Sequence, residues 1–178
     1  MKKSMPWIRC AGFLVGLAVI LGICDFCFAP SGYVRFILHE VNRKDTQYDT
    51  IILGASHARS AINPEYLDEE LGTNTLNLAI PGETVKDAYY LLKDACESND
   101  VKTVIMDVDY QYWMDEQPQG YFTEPFICQN ITNLKVKTEY LLDNWDTIDL
   151  RNVLVRRLSW DCTWSSVKQN VSTKMTRS

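Results

Sequence analysis

Asp49-TIIL-Gly54-Ala55-Ser56-His57 sets a β-branched, apolar run directly before a cluster of small residues. A short apolar run rich in β-branched residues suits a strand buried on both faces, and the small residues end it. Two further strand-like runs follow: Thr75-LNLA-Ile80, closed by Pro81-Gly82, and Val101-KTVIMD-Val108. Between the first two lies Asn63-PEYLDEE-Leu71, with Asn63 as N-cap, Pro64 at the first helical position and Gly72 as the stop. Between the second and third, Glu83 to Cys96 reads as a helix whose apolar face is Val85, Ala88, Tyr89 and Leu92. Strand, helix, strand, helix, strand at these intervals is the pattern of βαβ units. The fold class is α/β, with a parallel sheet covered by helices.

Upstream, Lys2, Lys3 and Arg9 lead into an apolar stretch from Cys10 to Phe28. It has the roughly 20 residues that a helix needs to cross about 30 Å of hydrocarbon. Basic residues on the leading flank favour a cytoplasmic N-terminus and a domain outside, in a single pass through the cell membrane. A cleaved signal peptide is the competing reading, since Ala29 offers a small residue at the right place, although Pro30 after it disfavours cleavage. Residues 1–29 are thus read as cytoplasmic tip and anchor, and residues 30–48 as a juxtamembrane connector. In the connector Tyr33, Phe36, Ile37 and Val41 recur at helical spacing, and His39 reads as a solvated or interfacial side chain.

Downstream of Tyr110 the signal weakens. Gln111 to Cys128 is rich in aromatic residues, Gln, Pro and Gly, and reads as an irregular excursion. Leu134–Trp145 and Ile148–Leu158 both suit helices. The domain runs over 49–160, and residues 161–178 read as a polar tail without a further strand. The net charge of −5 comes without a long basic run, so nucleic acid is not an expected partner. Of six cysteines, Cys10, Cys24 and Cys27 lie in or beside the apolar stretch. Cys96, Cys128 and Cys162 match no metal-ligand spacing and read as unpaired thiols, with one disulfide among them as the alternative. No metal or cofactor is expected.

In open parallel sheets, ligands collect outside the carboxyl ends of the strands. Those ends here are Gly54-Ala55-Ser56-His57, Pro81-Gly82 and Asp107-Val108-Asp109-Tyr110. Glycine permits a tight turn before Ser56, and free backbone N–H groups at a helix start, with one from Gly82, suit a developing oxyanion. The hydroxyl of Ser56 is the candidate nucleophile. His57, Arg59, Asp107 and Asp109 are candidate substrate contacts, with loop-fixing roles, or pairing of an aspartate with Arg59, as the structural alternatives. Asn77 reads as structural. Tyr110, Tyr112, Trp113, Tyr121 and Phe122 suit either a sugar- or lipid-facing wall or packing over the sheet.

Ile51-ILGASHARSAINP and Asn77-LAIPGETVKDAYYLLK, within Tyr48 to Tyr110, resemble the SGNH/GDSL hydrolase superfamily. The likeness is to its membrane-anchored bacterial members, relatives of the D-alanine transfer protein of teichoic acid synthesis. The resemblance implies a partial flavodoxin-like three-layer domain. It implies Ser56 as nucleophile, Gly54 and Ala55 in the first block, and Gly82 as an oxyanion-hole donor. It also implies ester or acyl groups of envelope polymers or lipid-linked sugars as substrates, and a membrane acyltransferase as partner.

Two departures stand out. Asp107-Val108-Asp109-Tyr110 follows the third strand where the family supplies an asparagine, and no histidine follows His57 where the family has a late Asp-x-x-His base. The expectation is therefore a domain that is weak or inactive alone, representing the N-terminal half of such an enzyme. A non-catalytic anchored module that holds an envelope polymer or a partner protein is the second reading. A nucleotide binder is a third, although the first strand lacks G-x-G-x-x-G.

Overall fold

The computed structural model describes residues 6–29, 32–108, 123–148, 150, 153 and 162–176. Along the chain the described elements are α1 (Pro6–Phe28), α2 (Tyr33–Glu40), β1 (Thr50–Leu53), α3 (Ser56–Ala61), α4 (Pro64–Leu71), β2 (Thr75–Asn77), α5 (Val85–Ser98), β3 (Thr103–Met106), α6 (Thr123–Asn130), α7 (Leu134–Asp143) and α8 (Trp164–Thr176). They fall into two units, Tyr33–Leu154 and Met1–Gly32 with Val155–Ser178.

The larger unit is mixed α/β. Its three strands form a parallel sheet in the order β2-β1-β3, with Thr50 opposite both Thr75 and Thr103, and Leu53 opposite Met106. All four residues of β1 are buried because helices cover both faces of this central strand. Alternation does the sorting: Ile51 and Leu53 pack into a cluster with Leu78, Ile80, Leu91 and Ala95, while Ile52 packs oppositely with Ala79 and Ala58.

Local signals fix the helix ends. Asn63 accepts from the Glu65 N–H at 3.1 Å, Pro64 occupies the first turn and Gly72 closes α4 at φ +67°. Thr84 and Asp87 form a reciprocal capping box at the start of α5. This corrects the expected start of that helix, because Glu83 lies before the cap. The expected apolar face is also corrected: the buried side of α5 carries Asp87, Ala88, Tyr90, Leu91, Asp94 and Ala95, and Tyr89 is exposed. Its two aspartates are satisfied across the core. Asp87 accepts from the Tyr140 hydroxyl at 2.6 Å, and Asp94 from the Asn133 N–H at 3.0 Å and from Asn42 Nδ2 at 3.1 Å.

The connector is part of this unit rather than a spacer. α2 buries Ile37 and Leu38, and Val41 follows them into the core, whereas Phe36 and His39 are exposed. Within the stretch read as irregular, Thr123–Asn130 is helical and buries Phe126, Ile127 and Cys128; residues 111–122 lie outside the described ones. Cys128 is a free thiol, its pKa pushed up to about 11 by burial, and Cys96 and Cys162 are free as well.

In the smaller unit, α1 is long and apolar enough to cross a membrane. Its 23 residues span about 34 Å at 1.5 Å each, against about 30 Å of hydrocarbon. The stretch read as a polar tail forms α8, which packs on the end of α1.

Candidate functional site

The sheet order changes direction at β1: the chain moves to β2 on one side, then to β3 on the other. Such a switch opens a crevice beyond the carboxyl ends of the two diverging strands, here β1 and β3. Gly54 stands at the end of β1, with φ +144°. A Cβ at this position would stand 2.6 Å from Asp107 Cβ and 2.8 Å from Ala58 Cβ. Only glycine lets the end of β1, the helix α3 and the end of β3 meet this closely.

Ser56 opens α3, exposed, two residues past that junction. Among the described residues no hydrogen bond engages its hydroxyl, and Ala55 provides no side-chain cap. Ser56 stands in the first turn of α3, where the Arg59 N–H donates to the Ala55 carbonyl at 3.2 Å. His57 is exposed one residue on, turned about 100° around the helix from Ser56.

Glu83 joins the two glycine-bearing loops. Its carboxylate is 3% exposed and accepts from Gly54 N at 3.1 Å through Oε1 and from Ile80 N at 2.9 Å through Oε2. Ile80 N also reaches the Gly54 carbonyl at 3.1 Å. The loop of Ser56 is thereby tied to the turn of Gly82, which has φ +77°. Apolar periodicity alone assigns Glu83 to the helix and misses this role. The signal that excludes it from the helix is the Thr84-x-x-Asp87 capping pattern, which leaves Glu83 free to bridge the loops.

Asn77 is structural: Nδ2 donates to the carbonyls of Ala58 at 3.0 Å and Ile62 at 3.2 Å, while Oδ1 accepts from Ala79 N at 3.1 Å. Arg59 lays its guanidinium 4.1 Å over the ring of Tyr33, and among the described residues no ion pair links it to Asp107. The Tyr33 hydroxyl donates to the Asn77 carbonyl at 3.0 Å, and burial pushes its pKa upward against the pull of Arg59. Asp107 continues the β3 register, donating its N–H to the Leu53 carbonyl at 3.0 Å, and its Oδ2 is buried without a partner. Asp109 and the aromatic cluster Tyr110, Tyr112, Trp113, Tyr121 and Phe122 lie outside the described residues.

No family model, curated protein or solved structure matches the chain. Its chemistry is therefore read from the crevice itself. Exposed Ser56 follows Gly54 by two residues, Asp107 with its buried, partnerless Oδ2 lies against Gly54, and Glu83 ties the same loop to the turn of Gly82. The structure does not bring in a histidine from another element: His39 sits on the exposed side of α2. Among the described residues no three His, Cys, Asp or Glu side chains gather to hold a metal ion.

A second group of acids lies in the core. Asp87 is bonded to Tyr140 and Thr84; Glu124 accepts from the Thr147 hydroxyl at 3.1 Å and leaves Oε2 buried without a partner. Burial raises the pKa of both carboxyls, and the neighbouring charge of Asp87 raises that of Glu124 further.

Proposed function

We propose that this chain is a membrane-anchored, SGNH-like acyl-transfer domain with Ser56 as nucleophile, Gly82 as oxyanion-hole donor and its base supplied by residues outside these 178. The observation that carries the reading is the junction at Gly54. A serine opens a helix at the switch point of a parallel sheet, and a buried carboxylate locks its loop to the second glycine turn. The order β2-β1-β3 agrees with the first three strands of the flavodoxin-like order 2-1-3-4-5. In this reading α1 crosses the cell membrane once, N-terminus inside, and the α/β unit works on envelope polymers or lipid-linked sugars outside. His57, Arg59, Asp107 and Asp109 are its substrate contacts, and a membrane acyltransferase is its partner.

Without a base the serine attacks slowly, because proton removal contributes about 10²–10⁴ in rate. The test follows from that deficit. Added imidazole supplies a diffusible base, so turnover of p-nitrophenyl acetate by the full chain in detergent should rise with imidazole concentration. The increment must vanish in Ser56→Ala, measured against the same imidazole background. An equal rate in both proteins at every imidazole concentration sinks the enzymatic reading and favours the second one, an anchored binding module for an envelope polymer or partner protein.

A further inference from the structure

α8 is polar in sequence, so its position against an apolar helix calls for a physical cause. The last carbonyls of a helix have no intrahelical donors, and in a membrane-spanning helix they fall where water begins. Here α8 provides those donors. Lys174 Nζ reaches the carbonyls of Phe26 and Ala29, each at 2.7 Å, and stands 5.5 Å over the Phe26 ring. Asn170, 6% exposed, donates from Nδ2 to the Cys27 carbonyl at 3.4 Å. The lysine charge also meets the negative end of the α1 dipole.

The rest of α8 is arranged accordingly. Asn170 is buried, and Ser166, Val167, Val171, Thr173 and Lys174 around it are partly covered. Trp164 and Met175 are 83% and 69% exposed, and Lys168 is exposed between them. At 100° per residue these three fall within about 40° of arc, beside Val171 and about 80–160° round the helix from Lys174 and Asn170, which meet α1. An indole, a thioether and an ammonium aligned on one side, with no acidic residue in the helix, are the side chains of a surface that lies at a bilayer interface.

We propose that α8 is an interfacial helix: Lys174 and Asn170 cap the exit end of α1, and the Trp164–Lys168–Met175 side rests in the headgroup layer of the same membrane. The partner is the lipid surface, and its identity follows from continuity with α1, whose Leu14, Val15, Val19 and Ile20 are exposed along the span. The proposal rests on α1 being retained in the bilayer. It is independent of any chemistry at Ser56.

Photo-crosslinking separates the two premises. The full chain is reconstituted into vesicles of phosphatidylcholine with phosphatidylglycerol carrying radiolabelled phospholipid, with benzoylphenylalanine replacing Leu14, Trp164, Met175 or Tyr66, one at a time. Tyr66, exposed on α4, is the reference for chance encounters. Crosslinking at 14, 164 and 175 should exceed that at 66 by about tenfold. Adding Asn170→Ala with Lys174→Ala should cut the signal at 164 and 175 at least threefold and leave that at 14 unchanged. Lipid capture at 14 alone overturns the proposal and keeps the anchor. Reference-level signal at 14 overturns the anchor itself, and an unchanged signal at 164 and 175 in the double variant overturns the capping role.

Discussion

Replacing Gly54 by alanine adds one methyl group at the most crowded point of the α/β unit. The backbone at φ +144° is a conformation that alanine rarely adopts, at a cost of ~1–3 kcal/mol. The new Cβ would also stand 2.6 Å from Asp107 Cβ and 2.8 Å from Ala58 Cβ, neither of which is the free end of a long side chain. Overpacking of that kind costs a further ~1–3 kcal/mol. Together ~2–6 kcal/mol is lost from a total that is ~5–15 kcal/mol for ordinary domains. The thermal midpoint, followed by circular dichroism in detergent, should fall by roughly 10 °C or more. Ala58→Gly removes one of the two clashes, so a double-mutant cycle should show a favourable coupling of ~1 kcal/mol or more between positions 54 and 58. A Gly54→Ala protein within ~0.5 kcal/mol of wild type would refute the steric reading of this junction.

Glu83→Gln puts an amide N–H₂ where a carboxylate oxygen accepts, so Gly54 N or Ile80 N faces a donor; a loss of ~1–3 kcal/mol by denaturant titration is expected. Glu124→Gln keeps an acceptor for Thr147 and removes a buried charge. Because burial raises the Glu124 pKa above its ordinary 4.5, its folded form holds the proton more tightly. That stabilisation is full below pH 4.5 and is lost as pH rises through the raised value. The variant should therefore melt higher than wild type at pH 7, and the difference should shrink toward pH 4.5; no difference at pH 7 would contradict the buried-charge reading. Ser56→Ala, at an exposed position, should change stability by no more than ~0.5 kcal/mol, and a larger loss would mean that the hydroxyl is structural.

Where local chemistry decides an element, the sequence is legible. The three strands are readable from short β-branched runs, of which β1 is fully buried and β3 half exposed, and α4 from Asn63, Pro64 and Gly72, because β-propensity and helix capping act within a few residues. Elements held by distant partners are not. The buried face of α5 includes Asp87 and Asp94, whose charges are met by Tyr140, Asn42 and the Asn133 N–H, so apolar periodicity points to Tyr89 instead. α8 reads as a tail because its contacts to α1 are a lysine and an asparagine on backbone carbonyls.

The same division holds at the site. Ser56, Gly54 and Gly82 are marked by the tight turns they make. Glu83 is not, since a charged residue beside Pro81-Gly82 reads as solvated unless its two backbone donors are known. The strand-end position of Asp107 suggests a substrate contact. Nothing in the sequence shows that its Oδ2 is buried and unsatisfied beside Gly54.

Under the proposed function, Ser56 is a nucleophile awaiting a base. The most direct measurement is to incubate the full chain with a fluorophosphonate, which captures an activated serine covalently, and to map the adduct by peptide mass spectrometry. Ser56 should become phosphonylated slowly, faster with imidazole, and the adduct should be absent from Ser56→Ala. An unmodified Ser56 peptide after long exposure with imidazole present would contradict that reading.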